Sequence, residues 1–92
     1  MSIQSQNTRW SVEIYEVVDQ DHQQRILEVF LEIGRPQVIA LGTQSGRNSY
    51  VIVEVSSGDD SVFARRTISA IDAHARRTYT SNMSRVSGPM PA

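Results

Sequence analysis

The amino-acid sequence predicts a small α+β domain, and three patterns in its 92 residues carry that prediction. Apolar and polar residues alternate over 10–18, which is the period of a half-buried strand. Apolar residues recur at three- and four-residue spacing over 21–33 and 60–76, which is the period of an amphipathic helix. Two β-branched runs, 37–41 and 50–55, lie between the helices. The predicted order is therefore strand, helix, strand, strand, helix.

The first and third strands are each expected to turn one face to the helices. That face is predicted to carry Val12, Ile14, Val51, Val53 and Val55. Because side chains alternate along a strand, the opposite, open face is predicted to carry Tyr15, Tyr50 and Ile52, with Glu13 and Glu54.

The first helix has one apolar stripe and a clear C-terminal signal. The stripe consists of Ile26, Val29, Phe30 and Ile33. Gly34 is a favourable residue just past a helix end, and Pro36 prevents continuation. At the other end, Asp21 or, failing it, Asp19 is predicted to cap the helix.

The second helix is predicted from about Asp60 to Arg76. Its apolar stripe comprises Ala64, Ile68, Ile71 and Ala75. Asp59 and Asp60 suit the positive end of the helix dipole, and Arg76 and Arg77 suit the negative end. Residues 78–80 are a candidate fourth strand at a sheet edge. With it, the order becomes βαββαβ, the ferredoxin-like split βαβ arrangement of an antiparallel sheet with two helices on one face.

Length, charge and composition limit the number of domains and the classes of partner that this chain can have. We expect one domain over 9–81, a disordered start at 1–8 and a flexible tail at 82–92. A net charge of −1 argues against general affinity for nucleic acid or an anionic membrane. The chain has no cysteine, no apolar run long enough to span a membrane and no secretory signal in its first ten residues. We therefore expect a cytoplasmic protein.

Three stretches of the chain form a combined pattern: the strand "VEIYEV", the helix "ILEVFLEIG" with its paired Val29 and Phe30 and closing Gly34, and "VEVSSGDD" leading into the second helix. Together they resemble an ACT domain, a small regulatory module of amino-acid metabolism. The resemblance covers roughly residues 11–79 and is nearest to the regulatory subunit of acetolactate synthase. It implies a ferredoxin-like fold, self-association and a regulatory role, with an amino acid as a possible class of effector.

The turn after the first strand departs from the ACT pattern. That family typically has Asp or Asn, any residue, Pro and Gly there, and the glycine lets the backbone approach a bound amino acid. This chain has Gln20 in place of the proline and Asp21 in place of the glycine. Asp19, Asp21 and His22 are therefore the candidate ligand-binding residues, but we predict that the turn caps the helix and binds no free amino acid.

Catalysis, metal binding and cofactor binding have no sequence signature here. No residue pattern pairs a nucleophile with a base, so we predict no catalytic residue, no metal ligand and no cofactor. Tyr15 and Tyr50 on a sheet face could stack RNA bases, as in RNA-recognition motifs. The negative net charge and the carboxylates of Glu13 and Glu54 on the same face make that the third choice.

Self-association is the prediction most directly tied to function. Leu27 and Leu31 lie off the helix stripe and would form an exposed apolar ridge. With Tyr15, Tyr50 and Ile52 they are the predicted interface of a homodimer. The predicted function is a non-catalytic, ACT-like regulatory or protein-interaction module. The alternative is a small ferredoxin-fold enzyme or metabolite-binding protein, with an inter-subunit pocket near residues 19–22.

Overall fold

The computed structural model describes residues 11–82, which form six elements in the predicted order. They are β1 (Ser11–Val17), α1 (Gln20–Ile33), β2 (Val38–Ser45), β3 (Asn48–Val55), α2 (Gly58–Ile71) and β4 (Arg76–Asn82). The predictions for residues 1–8, for Trp10 and for 83–92 lie outside the described residues.

The four strands form one antiparallel sheet in the order β2-β3-β1-β4. Buried residues of both helices join buried residues of β1, β2 and β3 in a single core cluster, so both helices cover the same face. The predicted ferredoxin-like α+β fold is confirmed.

The core is made by the apolar stripes of the helices and one face of the sheet. Ile26, Phe30 and Ile68 are buried, as predicted, while Val29 and Ile71 are half-buried. The buried apolar residues are Tyr15, Val17, Ile26, Phe30, Val38, Val51, Val53, Val55, Ala64 and Ile68. The prediction for Ile33 is wrong, because this last residue of α1 is 45% exposed. The buried stripe of α1 therefore ends one turn earlier.

The predicted orientation of β1 is wrong. Glu13, Tyr15 and Val17 face the helices and are buried, whereas Val12 and Ile14 lie on the open face. Both faces of β1 carry apolar side chains, so the alternation establishes a strand without establishing which face is inside. Burial of Glu13 is tolerated because its carboxylate accepts hydrogen bonds from within the fold.

Residues 42–49, which separate the two predicted strands 37–41 and 50–55, extend both strands into the tip of a regular β2–β3 hairpin. The strands pair residue by residue from Val38 with Val55 to Ser45 with Asn48, leaving a two-residue turn, Gly46 and Arg47. Gly46 has φ +62°, and no other residue of the turn has a positive φ. Glycine at the first central position is the signature of a type II′ turn, whose twist suits a hairpin.

The second helix is shorter and the fourth strand longer than predicted. α2 ends at Ile71, and Asp72 follows it in an extended conformation. Ala75 is therefore outside the helix, and Arg76 and Arg77 belong to β4 rather than to the C-terminal turn of α2. In β4 the guanidinium of Arg76 contacts the carboxylate of Glu16 at 2.8 Å.

Candidate functional site

The turn before α1 is organised around Asp19 rather than Asp21. The Asp19 carboxylate accepts a hydrogen bond from the backbone N–H of His22 at 2.8 Å, which makes Asp19 the N-cap. The same carboxylate oxygen lies 2.7 Å from Nδ1 of the His22 ring. The prediction that the turn caps the helix is confirmed, with the second-choice residue in the role. Asp21 lies in the first turn of α1, where its negative charge suits the helix dipole.

Asp19 and His22 shift each other's protonation. The hydrogen bond from the His22 backbone, followed by the one with its ring, lowers the pKa of Asp19. The hydrogen bond with the Asp19 carboxylate raises the pKa of His22. Both groups are solvent-exposed, so this pair is a helix cap at the surface and not a desolvated acid–base pair.

The three candidate ligand residues do not enclose a cavity. Asp21 and His22 line an open hollow of about 300 Å³ together with Arg25 and Ile71. Asp19 is not among the residues that line the hollow, and its carboxylate is occupied by the helix cap. Within residues 11–82, no three His, Asp or Glu side chains are grouped as metal ligands.

The open face of the sheet carries an apolar row that crosses all four strands. Cross-strand pairing aligns Leu41 with Ile52, Ile52 with Ile14, and Ile14 with Tyr79. We call Leu41, Ile52, Ile14 and Tyr79 the apolar row. Leu41 and Tyr79 are each more than half exposed. Tyr50 and Ile52 lie on this face as predicted, but Tyr15 does not, because it is buried on the other side.

Of the two leucines that were predicted to form an exposed ridge on α1, one is exposed and the other is not. Leu31 is 83% exposed, but Leu27 packs against the core over β2. A Cβ atom at Gly42 would lie 2.9 Å from Leu27 Cδ1 and 3.0 Å from Gln23 Nε2. Leu27 is therefore partly buried by the close approach of α1 to a glycine in β2, which helix periodicity alone does not predict.

Gln23 joins α1 to the hairpin. Its buried side-chain amide donates to the backbone carbonyls of Thr43 at 2.9 Å and Tyr50 at 2.8 Å. These two residues are paired across β2 and β3. The amide therefore uses both of its N–H groups and fixes the helix above the hairpin.

A buried polar cluster that the sequence pattern did not predict lies between β1, β4 and α2. Glu13 is 2% exposed and accepts hydrogen bonds from the hydroxyls of Tyr15, at 2.8 Å, and Ser61. Arg77 Nη1 lies 3.5 Å from the same carboxylate. Burial, and then the hydrogen bond to Glu13, raise the pKa of the Tyr15 phenol far above its ordinary value. The only feature of the sequence that could have indicated this cluster is the acidic residue Glu13 within an otherwise apolar strand pattern.

Two further buried carboxylates hold chain segments together. Asp72 accepts from the backbone N–H groups of Val18 at 2.8 Å and His74 at 2.9 Å, which ties the end of β1 to the α2–β4 connection. Asp60 accepts from the hydroxyl of Ser57, the N-cap of α2, and lies 3.4 Å from Arg35. The buried acids of the described chain thus have structural partners.

Comparison with known proteins bears on the fold. No protein-family model and no curated protein matches this sequence. The de novo designed protein Foldit4 is similar in structure, with a TM-score of 0.54 and 14% identity over 80% of this chain and 94% of that chain. MupZ from Pseudomonas fluorescens has a TM-score of 0.48 and 14% identity over 82% of this chain and 66% of that chain.

A third similar structure is the de novo designed protein LFR1 1, which is described as having a ferredoxin fold. Its TM-score is 0.40 and its identity 14%, over 91% of this chain and 90% of that chain. At such identities the likenesses concern the fold alone. Within residues 11–82, no helix is both long and apolar enough to cross a membrane.

Proposed function

We propose that this protein is a non-catalytic regulatory or protein-interaction module, similar to an ACT domain, that works as a homodimer in the cytoplasm. The observation that carries the proposal is the apolar row on the open face of the sheet. Contiguous exposed apolar surface on a small domain commonly marks an interaction site. A second copy, related by a two-fold axis, would bring the same row against itself.

The neighbourhood of the apolar row supports a sheet-to-sheet contact. On one side of the row lie Ile39 and Val12, with Glu54 between them on the middle strand. On the other side lies the ion pair of Glu16 and Arg76, at 2.8 Å. An apolar centre with charged residues at its rim is the usual anatomy of a protein interface. Two such sheet faces would pack about 10 Å apart.

The roles of the polar side chains support a non-catalytic function. Asp19 caps α1, Asp72 anchors two backbone segments, and Glu13 accepts hydrogen bonds from two hydroxyl groups inside the fold. Each of these three carboxylates therefore holds the fold together. The ACT-like part of the proposal rests on the element order and the three sequence stretches that resemble that family. The proposed regulation works through assembly, because Asp21 occupies the glycine position of the ACT effector turn.

Sedimentation velocity at micromolar concentration tests the proposal. We expect a dimer for the unmodified protein and a monomer for Ile52→Glu, because that change places a charge at the centre of the apolar row. Leu31→Glu is the matched control, since Leu31 is exposed on α1, away from the sheet face. A monomeric unmodified protein at about 100 µM would refute the proposal. Dissociation by Leu31→Glu but not by Ile52→Glu would move the interface to α1.

A further inference from the structure

The two edges of the sheet differ in the features that prevent a strand from pairing with another chain. β4 carries Arg76 and Arg77, and its register with β1 shifts between Ile14 and Tyr15. β2 has no charged residue and no proline over Val38–Ser45, and it pairs with β3 in unbroken register. Charges, prolines and bulges are the common means of blocking an edge. β2 is therefore the unprotected edge.

A groove runs beside this edge, between α1 and β2. Its volume is about 550 Å³. Apolar side chains of α1 and β2 form most of its wall, and Gly34, Arg35 and Pro36, in the connection between these two elements, also line it. On the helix-facing side of β2, Ala40 has a small side chain that leaves room in the groove, whereas Leu27 and Gln23 already occupy the space over Gly42. Leu31 stands over the groove with most of its side chain in solvent.

We propose that β2 and this groove dock an extended, uncharged segment of another protein, which adds to the sheet as a fifth strand. The outer side of β2 has no strand partner within residues 11–82, so its backbone N–H and C=O groups are available to such a segment. Alternate side chains of the added strand would enter the groove, which selects large aliphatic residues at every second position.

The electrostatics of the groove favour an uncharged occupant. Arg35 is the charged residue that lines it. Its guanidinium is already engaged, with Nε 3.4 Å from Asp60 and its carbon 4.2 Å from the centre of the Phe63 ring. A charged group on the docked segment would lose water without gaining a free partner in the groove.

A second copy of β2 is a poorer fit than a foreign strand. The side chains that β2 turns to the helix side include Ala40 and Gly42, and these are too small to fill the groove of a partner molecule. The docking surface meets the apolar row at Leu41, which lines the groove, but the outward backbone groups of β2 lie at the sheet edge and not on its open face.

Titration with a peptide, monitored through the amide and methyl signals in NMR spectra of the protein, tests the proposal. The probe is a seven-residue peptide that alternates leucine with threonine and is acetylated and amidated at its ends. We expect saturable shifts in the amides of β2 and in the methyl groups of Leu27 and Leu31. Two further peptides carry backbone N-methyl groups, one on every leucine and one on every threonine. In a strand these two sets point to opposite edges, so one peptide should lose binding at least tenfold and the other should retain it.

Two protein variants complete the design. Leu31→Glu places a charge over the groove and should weaken binding at least tenfold without loss of folded amide dispersion. Val62→Glu, at an exposed apolar residue of α2, should bind as the unmodified protein does. Equal binding of both N-methylated peptides would overturn the proposal. So would shifts centred on Ile14 and Ile52, or concentration-dependent protection of the β2 amides in the free protein, which would mean that β2 pairs with itself.

Discussion

At the level of single residues, the Asp19–His22 pair makes the start of α1 sensitive to pH. We expect the His22 ring to titrate above about 6.5, its ordinary value, because the Asp19 carboxylate favours the protonated form. NMR titration of the His22 ring proton measures this. Asp19→Asn should lower the midpoint clearly. Asp21→Asn should lower it less, because Asp21 acts only weakly and through space. Equal effects of the two changes would contradict the assigned cap.

The same pair has a predictable effect on thermal stability. The pKa of His22 is raised on folding. The stability that the Asp19–His22 interaction contributes is therefore complete at pH values below the ordinary pKa of histidine, and it is lost as the pH rises through the pKa of the folded protein. The melting temperature of the unmodified protein should therefore exceed that of His22→Gln by more at pH 5.5 than at pH 8. A difference between the two proteins that does not vary with pH would contradict the Asp19–His22 interaction.

Tyr15 gives a prediction at the alkaline end. Its raised pKa means that the unfolded chain releases the phenol proton above about pH 10 while the folded chain retains it. The contribution of this group to the free energy of unfolding therefore falls as the pH rises above about 10. Chemical denaturation of Tyr15→Phe should show a smaller loss of stability over that pH range than the unmodified protein. At neutral pH, Tyr15→Phe should cost roughly 1–3 kcal/mol, because buried Glu13 loses a donor. An unchanged alkaline slope would contradict the buried position.

At the level of elements, the buried face of a helix or strand was predictable where only one of its faces is apolar. α1 has a single apolar stripe, and its buried residues Ile26 and Phe30 were predicted. β1 is apolar on both faces, so its period was predictable and its orientation was not. The orientation is coupled to Ser61 and Arg77, which lie far from Glu13 along the chain. Such long-range contacts leave no local pattern.

The ends of elements were predictable where a residue type dictates the backbone. Gly34 closes α1 with φ +65°, as its position in the sequence indicated. The end of α2 was missed because Asp72 acts through backbone donors at Val18 and His74, which sequence spacing does not bring together. β4 was predicted too short because its exposed edge carries polar residues instead of an alternating apolar pattern.

Phe30 provides a stability prediction for the packing of the two helices. Its ring meets the Phe63 ring edge-on, with centroids 6.2 Å apart and planes at 80°. Phe30→Ala should cost roughly 3–5 kcal/mol, since it removes a buried aromatic ring and leaves a cavity. Leu31→Ala, one residue on but exposed, should change stability by less than about 0.5 kcal/mol. Chemical denaturation compares the two, and similar losses would contradict the assigned face of α1.

At the level of the whole molecule, the candidate surfaces were only partly predictable. The sequence placed Tyr50 and Ile52 on the open face correctly, because β3 has one wholly β-branched face of Val51, Val53 and Val55. The complete apolar row depends on strand order and register, which bring Leu41 and Tyr79 into line with Ile52. The groove beside β2 depends on the helix lying close over Gly42. Both features arise only when distant segments are assembled.

Assembly through the apolar row should also make the folded state depend on protein concentration. A dimer that dissociates before or during unfolding is stabilised by mass action, so its melting temperature rises with concentration. Over a range of about 1 to 100 µM we expect a rise of several degrees in the unmodified protein. Ile52→Thr keeps a β-branched side chain but removes apolar contact area, and it should reduce that rise. Leu31→Ala should retain it. A melting temperature that is independent of concentration in the unmodified protein would exclude a sheet-face dimer in this range.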